Sequence, residues 1–62
     1  MTLKEILEVV PIKDTIMVVI YNDANSEKFI GNSMDLIYRL AEFKYRKVFN
    51  IHCNNILTIF IE

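Results

Sequence analysis

The segment Thr15-Ile16-Met17-Val18-Val19-Ile20-Tyr21 constrains this chain more than any other, because it is rich in β-branched residues and apolar at both alternating sets of positions. Successive side chains of a strand point to opposite faces, so a strand of this composition needs cover on both sides. A lone helix covers one side of the sheet, so cover for the second comes from the other helix or from another copy of the protein. With 62 residues the chain is one domain near the lower limit of independent folding. Small domains meet that limit with disulfides, a structural metal or oligomerisation. Cys53 is the single cysteine and His52 the single histidine, so neither an internal disulfide nor a four-ligand zinc site can be built within one chain. Oligomerisation through the sheet is the expectation that remains.

The rest of the chain reads as helix, two strands, helix, two strands. Thr2-Leu3-Lys4-Glu5 is a capping box, and Leu3, Ile6, Leu7 and Val10 follow helical spacing until Pro11 ends the helix. Asp14 sits at the mouth of the first strand. The polar run Asn22-Asp23-Ala24-Asn25-Ser26-Glu27 predicts a hairpin loop returning through Lys28-Phe29-Ile30, and Gly31 predicts a tight bend or a positive φ. Asn32 and Ser33 are candidate N-caps of a second, longer helix whose apolar face comprises Met34, Leu36, Ile37, Leu40, Ala41 and Phe43. Period-two alternation from Tyr45 to Cys53 predicts a strand, Asn54-Asn55 a two-residue turn, and Ile56 to Ile61 the closing strand. That turn sets Cys53 opposite Ile56, Ile51 opposite Thr58 and Phe49 opposite Phe60 as the core face. Val48, Asn50, His52, Leu57, Ile59 and Ile61 then form the reverse face, an apolar patch expected to be the oligomer interface. The fold class expected is α+β, with a four-stranded, mainly antiparallel sheet and two helices.

Seven basic residues against eight acidic ones exclude a strong whole-molecule field for nucleic acid or anionic membranes, so binding to DNA has to be local. No apolar run approaches membrane-spanning length. The absence of a secretory segment and the single cysteine suggest a reducing, cytoplasmic setting. The basic residues cluster around Arg39, Lys44, Arg46 and Lys47, and Tyr45, Arg46 and Lys47 form the one place where an aromatic side chain and cations coincide, as a single-strand binder requires. Such a cluster also suits a solvated helix end complementing the helix dipole. Tyr21 and Tyr45, at element ends, are the aromatic residues expected to be exposed. His52 and Cys53 are adjacent on a strand and point to opposite faces, which excludes a nucleophile and base pair; Cys53 is expected in the core. Asp14, Asp23 and Glu27 lie in loops and could hold a divalent cation only if they converged, within one chain or across a two-fold axis.

From Thr2-Leu3-Lys4-Glu5-Ile6-Leu7 through Pro11 and Lys13-Asp14-Thr15 to Asn55-Ile56-Leu57-Thr58-Ile59, the pattern resembles short proteins of phages infecting Firmicutes, in particular a small anti-CRISPR family that counters the type II RNA-guided nuclease. The resemblance implies oligomers, a fold like that of single-strand-binding transcriptional coactivators, and Mg²⁺-dependent nicking that relaxes supercoiled DNA. It carries one position over, Asp14, as the acidic residue of nicking. Its implied setting is the cytoplasm of a bacterial host, with DNA or a defence nuclease as partner. Two other functions fit the same residues: an oligomeric binding module that captures a host protein or a nucleotide signal, and a structural or assembly protein of the phage particle.

Overall fold

The computed structural model describes residues 1–21 and 25–62. Helix α1 spans Leu3–Val9 and carries the expected capping box: the Glu5 N–H donates to the Thr2 hydroxyl (3.3 Å) and the Thr2 N–H to the Glu5 carboxylate (3.0 Å). Its first free N–H groups, those of Leu3 and Lys4, donate to the carbonyls of Arg46 (3.1 Å) and Lys44 (2.8 Å). This tie holds Tyr45 to Lys47 as a connection, so strand β3 starts at Val48 and runs Val48–Asn54 rather than from Tyr45. Strand β1 is Ile16–Tyr21 and β2 is Ser26–Gly31, which takes in Ser26 and Glu27 from the expected loop. The part of that loop at Asn22, Asp23 and Ala24 lies outside the described residues.

Helix α2 spans Ser33–Arg39, and Asn32 is its N-cap, accepting from the Asp35 N–H at 2.8 Å. Ser33 is buried in the first turn, where its hydroxyl donates to the Val10 carbonyl (3.3 Å) and joins the two helices. The helix is shorter than its apolar spacing predicts. Leu40 leaves helical geometry (φ −110°, ψ 30°) and a 3₁₀ turn follows at Ala41–Phe43, so Met34 and Ala41 are exposed while Leu36 and Leu40 are buried. Gly31 has no positive φ. A Cβ there would lie 2.7 Å from an Asp35 carboxylate oxygen, the movable end of an exposed side chain.

Strand β4 is Ile56–Ile61, and the sheet order is β2-β1-β4-β3. Strand β1 pairs antiparallel with β2 and parallel with β4, and β3 pairs antiparallel with β4. The sheet is therefore mixed, not mainly antiparallel. Because α2 carries the chain across the sheet, the two most apolar strands take its centre side by side, where burial is greatest.

The register of β3 and β4 also departs from expectation. A single residue in the left-handed region, Asn55 (φ 73°), centres the reversal, with Asn54 opposite Ile56 and Cys53 opposite Leu57. One residue of difference at the turn exchanges the faces of the strand. Leu57, Ile59 and Ile61, with Val48, face the helices; Ile59 and Ile61 are fully buried and Val48 and Leu57 pack against the core. These four are thus core residues of one subunit rather than interface residues. The core is closed by Leu3, Ile6, Leu7, Leu36 and Leu40 from the helices over Ile16, Val18, Ile20, Ile59 and Ile61 from the central strands. Asn50 and His52 keep the place given them, on the face away from the helices.

Candidate binding face of the sheet

No helix of the described residues covers the second face of the sheet. Register places Met17, Val19 and Tyr21 there from β1, Ser26, Lys28 and Ile30 from β2, and Ile56, Thr58 and Phe60 from β4. Strand β3 adds His52 and Asn50, opposite Thr58 and Phe60. A bulge at Val48/Asn50 sets an extra residue, Phe49, into this strand, and its ring turns to the same face. The double-sided apolar character of β1 is thus real: Val19 is only 3% exposed although no helix of the described residues lies above it.

Three rings from three strands meet at one end of this face. The Tyr21 centroid is 5.6 Å from that of Phe49 and 6.0 Å from that of Phe60, and Phe49 and Phe60 are 6.3 Å apart. Tyr21 and Phe49 remain 47% and 52% exposed, so each offers a ring surface to a ligand. Beside them a shallow groove of about 290 Å³ is floored by Met17, Val19 and Thr58 and walled by Ser26, Lys28, Tyr21 and Phe60. No carboxylate stands on the face within the described strands. Glu27 points to the helix side opposite Ile20, and Glu5, Glu8, Asp35 and Glu42 belong to the helices and the 3₁₀ turn.

Near the same end lie the residues expected to touch nucleic acid. Tyr45 is exposed, with the Lys44 ammonium 5.2 Å from its ring centroid. Arg46 sits 4.8 Å over the Phe43 ring and donates to the Glu62 carbonyl at 3.0 Å, which brings the connection against the end of β4. Lys47 is exposed and bridges antiparallel to Thr2. The rings of Phe49 and Phe60 are not legible as site residues, because their side of the strand follows from the bulge and from the turn at Asn55, and the side of Lys28 follows from the register of β2 on β1.

Asp14 is exposed in the link after α1, where its N–H closes a turn to the Pro11 carbonyl (3.0 Å). It lines a wide, open groove with Lys13, Thr15, Cys53 and Asn55. Among the described residues no three His, Cys, Asp or Glu side chains stand close enough to hold a metal ion together. Glu27 faces away at the far end of β2, and Asp23 is outside the described residues. Cys53 is exposed, not core, because the helices stop short of β3.

Fold and face together define a small α+β domain: two short helices on one side of a mixed sheet, and a bare, ring-bearing surface on the other. Compared with protein-family models, curated proteins and solved structures, the chain matches none. No helix among the described residues is long and apolar enough to cross a membrane.

Proposed function

We propose that the protein is a binding module that takes single-stranded nucleic acid on the open face of its sheet. The observation that carries this reading is the three-ring cluster of Tyr21, Phe49 and Phe60 on a face where the described strands place no carboxylate. Bases stack on exposed rings whatever their sequence, and a lysine beside the rings meets the phosphate that follows. Lys28 stands on the groove wall for that purpose, and Lys47 is exposed in the connection just before β3. Ser26 and Asn50, both exposed, supply donors and acceptors for base edges. The test is fluorescence anisotropy of a labelled oligothymidylate at low salt. Replacing Tyr21 or Phe49 by Ala removes about 1–3 kcal/mol of stacking per base, or about 5- to 150-fold in affinity. Tyr38→Ala, an exposed tyrosine of α2, leaves binding unchanged. Failure of the oligonucleotide to bind, or an equal loss from Tyr38→Ala, defeats the reading.

The exposed position of Asp14 on an open groove favours a second reading, the nicking of supercoiled DNA in opposition to a type II nuclease that the family resemblance implies. Plasmid relaxation with and without Mg²⁺, repeated with Asp14→Ala, decides it. Relaxation that needs Mg²⁺ and is lost in the variant supports nicking, and an intact supercoiled band under both conditions rejects it.

A further inference from the structure

The two edges of the sheet are built differently. Strand β2 carries Glu27 and Lys28, and α2 lies beside it: Arg39 donates to the Ile30 carbonyl (3.3 Å), with its guanidinium 5.8 Å from the Phe29 ring centroid. Charges and a covering side chain are the usual means by which an edge avoids pairing with another chain. Strand β3 has neither, and its bulge is confined to its first residues, before Asn50. From Val48 to Asn54 it contains no Lys, Arg, Asp, Glu or Pro, and its residues from Phe49 onward are all exposed.

Its outer edge is already used at one end. The Val48 N–H donates to the Met1 carbonyl (2.9 Å) and Thr2 bridges antiparallel to Lys47, so the N-terminal residues lie alongside the start of the strand on the side away from β4. Past the bulge at Phe49, about 16 Å of edge, Asn50 to Asn54, carries no further strand among the described residues and is open to one continuing in the same antiparallel sense. On the helix side Ile51 pairs with the fully buried Ile59, yet it is 45% exposed, because the helices do not reach this far across the sheet. An added strand supplies both what the backbone lacks and the cover Ile51 lacks.

We infer that a second copy of this chain fills this edge, β3 against β3 antiparallel about a two-fold axis, giving a continuous eight-stranded sheet. Two observations select that occupant. An uncharged strand can oppose itself without setting like charges face to face. Antiparallel self-pairing is closed, whereas pairing β3 with a partner's β2 leaves a free edge at each end and grows without limit; Arg39 and the charges of β2 oppose that growth.

The experiment is sedimentation equilibrium of the full chain, with amide hydrogen exchange at high and low protein concentration. The wild type is expected at about twice 7.3 kDa, with the exchange of β3 amides slowing as concentration rises. Ile51→Lys, at an exposed edge position, is expected to halve the mass while keeping the circular dichroism of the wild type. Ile30→Lys, on the open face near the guarded edge, is expected to keep the double mass. If Ile51→Lys fails to fold, dilution of the wild type carries the test through the β3 amides alone. A monomeric wild type at about 100 µM, far above the Kd of standard-size interfaces, or a double mass lost in Ile30→Lys and kept in Ile51→Lys, overturns the inference. Oligonucleotide binding is scored separately, so either claim can fail without the other.

Discussion

Two neighbouring substitutions in β4 test the register on which every assignment above depends. Ile59 is fully buried between Val18 and Ile51 in the pairing ladder, and Phe60 lies on the open face against Tyr21 and Phe49. Ile59→Thr removes apolar volume, worth about 1 kcal/mol on the scale of Ile→Val changes. It also buries a hydroxyl, which costs about 1–3 kcal/mol if it finds no partner. The sum is about 2–4 kcal/mol. A core this small rarely supplies more than about 3–5 kcal/mol, so the variant is partly unfolded at room temperature. Phe60→Tyr adds a hydroxyl at the ring edge of a partly exposed side chain, where water can solvate it, and shifts stability by less than about 0.5 kcal/mol. Urea unfolding followed by circular dichroism at one fixed protein concentration separates the two cases. Ile59→Val, at about 1 kcal/mol and about 4–8 °C in Tm, gives a version that stays folded. If Phe60→Tyr is the costly change and Ile59→Thr the tolerated one, the strand is flipped and the open face has been misassigned.

Thr2→Ala removes the acceptor for the Glu5 N–H and is expected to lower stability by about 1 kcal/mol in thermal unfolding. The Thr2 backbone N–H, with the Thr2 hydroxyl, holds the Glu5 carboxyl below its ordinary value of 4.5. Because the folded value is the lower one, the Glu5 contribution is fully present above pH 4.5 and disappears as the pH falls through the folded value. The Tm difference between the wild type and Glu5→Gln is therefore expected to shrink on acidification below that point, and a difference independent of pH refutes the capping role. At Asn55, with φ 73°, Asn55→Gly is expected to be neutral or stabilising and Asn55→Val to cost about 1–2 kcal/mol, read as Tm.

The elements governed by local rules were legible in the sequence. The capping box at Thr2 and Glu5, the interruption at Pro11 and the apolar strand at Ile16 act over a few residues, and the structure realises each of them. What failed depended on parity or on distant parts of the chain. A reversal centred on Asn55 alone, in place of a two-residue turn, exchanges Ile59 for Phe60 on the buried side, and nothing in Asn54-Asn55 distinguishes the two outcomes. The bulge at Phe49 is a second shift of the same kind. The parallel pairing of β1 with β4 follows from the path of the chain through α2, which periodicity does not record. Tyr21 and Tyr45 were identifiable as exposed because both end an element; Cys53 was misplaced because the reach of the helices across the sheet is a tertiary fact.

A chain with one more acid than base is an unusual binder of a polyanion, and the arrangement of its charges says how it could act as one. Glu27 faces the helix side and the helix carboxylates belong to that side too, so among the described strands Lys28 is the one formally charged residue of the open face, with Lys47 and Arg46 in the connection before β3. Arg46 is already engaged with Phe43 and the Glu62 carbonyl, so one to three cations at most can neutralise phosphates. Each phosphate neutralised on a single strand contributes about −0.7 to the slope of log K against log salt, so the expected slope lies between about −0.7 and −2. Affinity then resides mainly in stacking on Tyr21, Phe49 and Phe60, which salt does not screen. Phe49→Ala should therefore lower affinity at every salt concentration and leave the slope unchanged, whereas Lys28→Ala should reduce the slope by about 0.7 and cost little in high salt. A slope steeper than about −4 in the wild type is more than the cations of this face can produce, and would place the nucleic acid elsewhere on the molecule.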